Sequence, residues 1–148
     1  MYAAGEPAGF GTLPQVGRLF KDFKAAEVAY YQATGIFPIM HVIAVRRSLY
    51  SEHPWIARSL TKAFGAALDV AYADLAQRNA LKVMLPWLAA HLDETISVLG
   101  PRYWDYGLEA NRQVLETFAR YSHEQGLASR PRQAQEIVLA AADDSFVL

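Results

Sequence analysis

Residues 35–50 read GIFPIMHVIAVRRSLY, and this stretch decides which fold the sequence predicts. Within it, residues 38–45 are almost continuously apolar and rich in isoleucine and valine. A short run of this kind, with a glycine and a proline before it and Arg46 and Arg47 after it, is typical of a strand buried on both faces in a parallel sheet. His41 interrupts the run, and a buried imidazole must find a partner or lose its charge.

The composition of the whole chain fits one globular domain and excludes several classes of protein. Of 148 residues, 53% are hydrophobic and 20% are charged, and the net charge is −1. No broad basic surface is therefore available for nucleic acid or for an anionic membrane. Cysteine is absent, which excludes disulfides and thiolate sites. No apolar run reaches the roughly 20 residues that cross a bilayer, and the N-terminus lacks signal-peptide features. We therefore expect a cytoplasmic location.

Outside this stretch the sequence is mostly helical in pattern. Asp22 is a good N-cap for a first helix, and Gly35 is a good stop. Pro54 suits the first turn of the next long helix. Further helices are predicted over 54–77, 85–99, 108–125 and 133–142, with a short helix or turn over 46–53 and an irregular N-terminal arm over 1–17.

One confident strand is too few for a sheet. The other candidates, residues 15–20 and 145–148, are weak. Because an isolated strand leaves its backbone N–H and C=O groups unpaired, it is not stable by itself. The sequence therefore predicts either that the chain is part of a larger α/β unit or that it pairs with a second copy as a homo-oligomer.

Several unusual strings, spread in order over residues 14–127, resemble the C-terminal part of the 4,5-dihydroxyphthalate decarboxylase family. They are RLFKDF (18–23), GIFPIMHVIAVRR (35–47), EHPWIARSL (52–60), WDYGLEANR (104–112) and YSHEQGL (121–127). The resemblance implies an α/β fold like that of type 2 periplasmic binding proteins, with two lobes around a cleft. Residues 18–148 would form its helix-rich C-terminal portion as one compact unit, with the N-terminal half absent. Residues 35–45 would be a crossing segment in the sheet.

The same resemblance implies the decarboxylation of a dihydroxylated aromatic dicarboxylate, 4,5-dihydroxyphthalate, to protocatechuate. That chemistry needs a general acid, a group that polarises the phenol and a cation for the carboxylate that stays. It requires no redox cofactor, and it leaves the presence of a metal open. Two alternatives remain: a non-catalytic module of the solute-binding type that holds a small aromatic carboxylate, and an inactive truncated member of the family.

His41 is the best candidate for the general acid or the phenol partner, because imidazole exchanges protons near neutral pH. The alternative is a core histidine whose ring bonds a backbone carbonyl. Arg46 and Arg47 are candidates for the carboxylate, since a guanidinium forks well onto two oxygens. Alternatively, they lie at a solvated strand end or pair with Glu52.

Trp104 and Tyr106 precede a predicted helix that carries Asn111 and Arg112, and together these four side chains could wall a planar acid. Equally, they could pack the junction between the helix and its preceding turn. The remaining histidines are interpreted as surface residues: His53, His91 and His123. No metal site is predicted.

Overall fold

The computed structural model describes residues 5–138, and within that range the protein has six helices and no strand. The helices are α1 (Phe23–Thr34), α2 (Arg47–Glu52), α3 (Trp55–Ala76), α4 (Leu88–Leu99), α5 (Leu108–Glu124) and α6 (Ala134–Ile137). The chain divides into two compact units, one up to Gly35 and one from Ile36 onward. The predicted boundary between an arm of residues 1–17 and a unit of residues 18–148 stays a prediction.

The first unit is organised around α1. The Asp22 side chain accepts a hydrogen bond of 2.9 Å from the Ala25 backbone N–H and so caps the helix, as its sequence predicts. Gly35 ends the helix with a φ of 68°, a left-handed conformation that favours glycine. Before the helix, the Arg18 guanidinium lies over two aromatic rings, 4.3 Å from the Phe23 centroid and 5.3 Å from the Phe10 centroid.

In the second unit, α2 packs on α3, α3 on α4, and α5 on α6. The most buried side chains lie where α5 meets α6: Leu108 and Leu115 of α5 surround Ala134, with Val138 beside them. The apolar side of α3 is covered only in part, since Leu60 and Leu68 are half-buried and Phe64 is exposed. The buried core of this unit is therefore small and belongs to its C-terminal helices.

The predicted α/β fold with a buried strand is wrong for the residues that the structure describes. Residues 35–46 form neither helix nor strand, and residues 15–20 form no strand either, while the candidate at 145–148 lies outside the described range. Met40 is 62% exposed and Val42 is 72% exposed. The physical reason is that a strand exists only through hydrogen bonds to a neighbour, and no other segment between residues 5 and 138 supplies one. The type 2 binding-protein architecture is not found here.

The helix predictions agree with the structure, within a few residues at each end. The helix predicted over 54–77 is α3, and those predicted over 85–99 and 108–125 are α4 and α5. The short element expected over 46–53 is the helix α2. The helix predicted over 133–142 is shorter than expected: α6 ends at Ile137, because Val138 is extended, and residues 139–142 lie outside the described range. Among the described residues, no helix has the length and hydrophobicity that a membrane span needs.

Candidate functional site

His41 lies in the irregular segment of residues 36–46, which we call the His41 segment. Its imidazole is exposed, and within residues 5–138 it has no hydrogen-bond or ion-pair partner. Burial in a strand, which the sequence predicts for this ring, is therefore wrong. The alternative of a core histidine bonded to a carbonyl is wrong as well, because the ring is not in the core. The imidazole is accessible to a molecule that approaches from solvent.

Arg46 and Arg47 lie where the His41 segment enters α2. Arg46 occupies the N-cap position and Arg47 is the first helical residue. Both are exposed, and neither makes an ion pair within the described part of the chain. Glu52, which could have paired with them, has its carboxylate 3.7 Å from the Nε2 atom of His53 instead. Two guanidinium groups are thus left accessible at one end of a short helix.

The strongest long-range contacts of the second unit hold residues 100–107, GPRYWDYG, which we call the aromatic turn. It joins α4 to α5 and contacts the C-terminal part of α3 through Tyr72. The Tyr72 hydroxyl donates to the Trp104 carbonyl oxygen and accepts from the Trp104 backbone N–H, both at 2.8 Å. The ring of Tyr72 also meets Tyr103 edge to face, with centroids 5.1 Å apart. One tyrosine of α3 therefore fixes the backbone at the centre of the turn.

Arg102 makes the second attachment of the aromatic turn to α3. Its Nη1 atom is 2.9 Å from Asp69 Oδ1 on α3, and its Nε and Nη2 atoms are 2.9 and 2.8 Å from Asp105 Oδ1 in the turn. Hydrogen bonds to Asp105 first, and then to Asp69, raise the pKa of Arg102 above its ordinary value. The three side chains together carry a net charge of −1, so this arginine is not a site for a dicarboxylate.

Asn111 closes the other end of the aromatic turn. Its Nδ2 group donates to the carbonyl oxygens of Asp105 and Gly107, both at 2.9 Å, and the side chain is half-buried. Gly107 itself has a φ of 99°, which a residue with a side chain rarely adopts. The amide donors of Asn111 are thus occupied by backbone, in the arrangement expected if this residue packs the junction between turn and helix.

Arg112 is surrounded by acidic groups of its own helix. Its Nη2 and Nε atoms donate to the Glu109 carboxylate at 2.5 and 3.2 Å. Its Nη1 atom lies 3.6 Å from the Glu116 carboxylate and 3.3 Å from the side-chain oxygen of Gln135 in α6. These contacts, led by the Glu109 hydrogen bond, raise the pKa of Arg112 and lower the pKa of Glu109. A shallow depression that is open to solvent follows this face of α5 from Glu109 to Arg120. Both arginines that line this depression, Arg112 and Arg120, are paired with glutamates, which makes the depression a poor anion site.

Two predicted aromatic residues remain exposed on the turn, and one of them meets the His41 segment. Trp104 is 47% exposed and Tyr106 is 51% exposed. The Trp104 ring contacts Phe37 edge to face, with centroids 6.2 Å apart and planes inclined by 72°. The structure therefore brings the turn beside the segment that carries His41. Burial, followed by the neighbouring Tyr72, raises the pKa of Tyr103, which lies on the inner side of the turn.

The sequence did not predict four residues that hold the aromatic turn and the His41 segment in place. For three of them, no local sequence pattern indicates the contact. Tyr72, Asp69 and Arg102 lie 32 or 33 positions from their partners along the chain, too far for any local pattern. Phe37 could have been found, since it is the aromatic residue that opens the apolar run.

The other histidines lie on the surface, as the sequence predicts. His91 is exposed on α4, and the Nδ1 atom of His123 is 3.0 Å from the Ala128 carbonyl oxygen after α5. Arg120 and Glu124, one turn apart on α5, form an exposed ion pair at 3.5 Å. Among residues 5–138, no group of histidine and acidic side chains is arranged to hold a metal ion.

A curated 4,5-dihydroxyphthalate decarboxylase from Comamonas testosteroni is 37% identical to this chain over 133 residues, which is 90% of the chain. Over those residues the chain is similar to this decarboxylase, which supports the suspected family. It spans 40% of the length of that relative. No family model matches the chain. The resemblance that the quoted strings indicate is thus confirmed, while the α/β fold that it implies is not found in the described residues.

Proposed function

We propose that this chain acts in the non-oxidative decarboxylation of a dihydroxylated aromatic dicarboxylate, with 4,5-dihydroxyphthalate converted to protocatechuate and carbon dioxide. The observation that carries the proposal is the 37% identity to a 4,5-dihydroxyphthalate decarboxylase over 90% of the chain. Because the chain spans 40% of that relative, the substrate and the reaction are both part of the proposal.

The chemistry defines what a site must supply. In 4,5-dihydroxyphthalate one ring hydroxyl is para to a carboxylate, and its oxygen pushes electron density toward the carbon that carries this group. A proton adds to that carbon, the bond to the carboxylate carbon breaks, and its electron pair restores the aromatic ring as carbon dioxide leaves. The site therefore needs a proton donor, a group that polarises the phenol and a cation that holds the second carboxylate.

The accessible groups of the His41 segment match two of these needs, the proton donor and the cation. The His41 imidazole has no partner among the described residues and is free to deliver the proton. Arg46 and Arg47 are exposed and unpaired within the same range, and a guanidinium holds a carboxylate through two parallel hydrogen bonds. Cations at a helix N-terminus oppose the helix dipole, so the stability of α2 does not explain their position.

The proposal gives Asn111 and Arg112 no contact with the substrate. Asn111 bonds the backbone of the aromatic turn, and Arg112 is neutralised by Glu109 and Glu116. Tyr106, which is exposed on the turn, keeps its predicted role as a ring that packs on the aromatic acid. The substrate contacts are thus assigned to the histidine, the two arginines and one tyrosine.

Incubation of the protein with 4,5-dihydroxyphthalate, with protocatechuate followed by liquid chromatography, tests the proposal. His41→Gln is expected to abolish turnover and to leave the melting temperature nearly unchanged, because the ring is exposed. His91→Gln, an exposed histidine on α4, is the matched control and should retain full activity. Absence of protocatechuate with the wild-type chain would refute the proposed reaction, and an active His41→Gln variant would refute the assignment of the proton donor.

One observation favours non-catalytic binding of an aromatic carboxylate as a second function. Loss of a carboxylate is helped by exclusion of water, whereas His41, Arg46 and Arg47 are all exposed. A chain that only holds the acid would be stabilised by 4,5-dihydroxyphthalate in thermal melts without forming product. Arg46→Gln combined with Arg47→Gln should then abolish the stabilisation, and His41→Gln should not.

A further inference from the structure

The His41 segment has no secondary structure of its own, so another contact must fix where its histidine lies. A proton donor that is misplaced by about 1 Å can lose a large part of its effect on rate. Between residues 37 and 45 the structure gives no hydrogen bond of the backbone to the rest of the unit. One contact that does leave the segment is the edge-to-face pair of Phe37 with Trp104.

Trp104 is suited to be an anchor because both its backbone N–H and its carbonyl oxygen are hydrogen-bonded. Tyr72 bonds its N–H and its carbonyl oxygen with one hydroxyl group, each at 2.8 Å. The neighbouring Arg102 ties the same turn to Asp69 of α3. The Trp104 backbone is therefore held to the longest helix of the unit, and its ring meets Phe37 edge to face.

We propose that Phe37 and Tyr72 are positioning residues for His41, and that they act through Trp104. Tyr72 fixes the Trp104 backbone, the Trp104 ring fixes Phe37, and Phe37 limits where the following residues lie. His41 is four residues further, so its Cα atom lies within about 14 Å of the Phe37 Cα atom. The proposal rests on the proposed function, in which His41 delivers the proton.

This assignment changes the role of Trp104. The sequence predicts it as part of a wall that packs on the substrate, whereas its ring is paired with Phe37 and its backbone with Tyr72. Tyr106 has no aromatic partner or hydrogen bond among the described residues and remains available to a ligand. The two exposed aromatic residues of the turn thus have different tasks.

A nuclear magnetic resonance experiment tests the contacts without any need for activity. Steady-state {1H}-15N NOE values of residues 38–46 report motion faster than nanoseconds. Phe37→Leu and Tyr72→Phe are expected to lower these values. Phe37→Leu removes the ring that contacts Trp104, and Tyr72→Phe removes the hydroxyl that bonds the Trp104 backbone. Phe37→Tyr keeps a ring and should restore them, and Tyr106→Leu is the control that should leave them unchanged. Unchanged values in Phe37→Leu would overturn the proposal, whatever the activity of the protein.

Steady-state kinetics with 4,5-dihydroxyphthalate separates positioning from a general structural effect. Phe37→Leu and Tyr72→Phe should lower kcat by about tenfold to a hundredfold. KM should stay within about twofold, because Arg46 and Arg47 adjoin α2, which packs on α3 independently of Phe37. Phe37→Tyr should recover kcat.

The two failures are distinguishable. If the wild-type chain forms no protocatechuate, the proposed function fails. The role of Phe37 and Tyr72 in positioning a proton donor then fails with it. The NOE values then still decide whether the contacts hold the segment. A rise in KM with unchanged kcat in Phe37→Leu would instead make Phe37 a substrate contact and overturn its positioning role.

Discussion

The His41 segment and the junction of α5 with α6 show that hydrophobicity and burial are separate properties. The segment is the most apolar stretch of the chain, yet Val42 is 72% exposed. Helix α5 is rich in charged residues, yet Leu115 is 6% exposed, because α6 offers a surface on which one face of α5 packs. An apolar sequence supplies a driving force for burial, and only a partner surface allows that burial to happen.

The largest expected effect is at the buried side of this comparison. Leu115→Ala removes methyl and methylene groups from the contact with Leu108 and Ala134. We expect it to lower the free energy of unfolding by about 2–3 kcal/mol, the lower end of the range for such changes, because a core this small can collapse around the gap. Urea denaturation followed by circular dichroism measures the change.

Leu127→Ala is the matched control for Leu115→Ala. Leu127 is the same residue type and is 81% exposed, so the loss should stay below about 0.5 kcal/mol. Equal losses for the two leucines would show that α5 and α6 do not form the core in solution.

A smaller effect is expected at the aromatic turn, whose side chains are less buried than the α5–α6 junction and more buried than the His41 segment. Asn111→Ala removes both hydrogen bonds that its side chain donates to the turn, and we expect a loss of about 1–2 kcal/mol. Asn79→Ala, at an exposed position after α3, should be nearly neutral. If the two variants are equally stable, the turn is held by Tyr72 and Arg102 alone.

The ion pair of Arg130 with Glu136 tests whether α6 is formed at its junction with α5. Hydrogen bonds from Arg130, and then from the Gln133 backbone N–H, lower the pKa of Glu136 from 4.5 to about 2. A carboxyl whose pKa is lowered by folding stabilises the fold above its unfolded pKa, and this contribution is lost as the pH falls from about 4.5 to about 2.

A carbon-detected NMR titration of the Glu136 carboxyl measures this pKa directly. Because the side chain is partly exposed, added salt should bring the value back toward 4.5. Glu136→Gln should flatten the dependence of stability on pH in that window. A pKa of 4.5 at low salt would mean that the capping contact of α6 is absent in solution.

The smallest effect is expected in the His41 segment itself. Val42→Ser should change the free energy of unfolding by less than about 0.5 kcal/mol, because the side chain is already exposed. A loss above 1 kcal/mol would break the comparison, since it would mean that a partner covers the segment in solution. Sedimentation at two protein concentrations would then decide whether that partner is the second copy predicted from the sequence.

The helices were predictable because their signals are local. Asp22 bonds the N–H of Ala25 three residues later, and Gly35 takes the left-handed conformation at the end of the same helix. Such contacts join neighbours along the chain, so the sequence displays them directly. The strand was not predictable in this way, because its stability depends on hydrogen bonds to a distant segment that the pattern does not reveal.

In the candidate site, too, local features were predictable from the sequence and contacts between distant segments were not. The strings around His41 and Trp104 indicate the family, and the family was predicted correctly from them. The partners of Trp104 were not predicted: Tyr72 is 32 positions away, and its hydroxyl contacts backbone atoms that every residue possesses. The roles of Asn111 and Arg112 as substrate contacts stay predictions, and the structure shows these side chains bonded to Asp105 and Glu109, which lie six and three positions away along the chain.

By itself, the sequence determined where most of the helices lie, which family the chain resembles and which side chains could donate a proton or hold an anion. These properties follow from residue types and from contacts a few positions apart. Only the tertiary structure decided that the apolar run stays uncovered, that Arg102 pairs with Asp69 of α3, and that Phe37 meets Trp104. Burial, charge pairing and ring contacts each need two groups at one point in space, and their separation along the chain does not specify that distance.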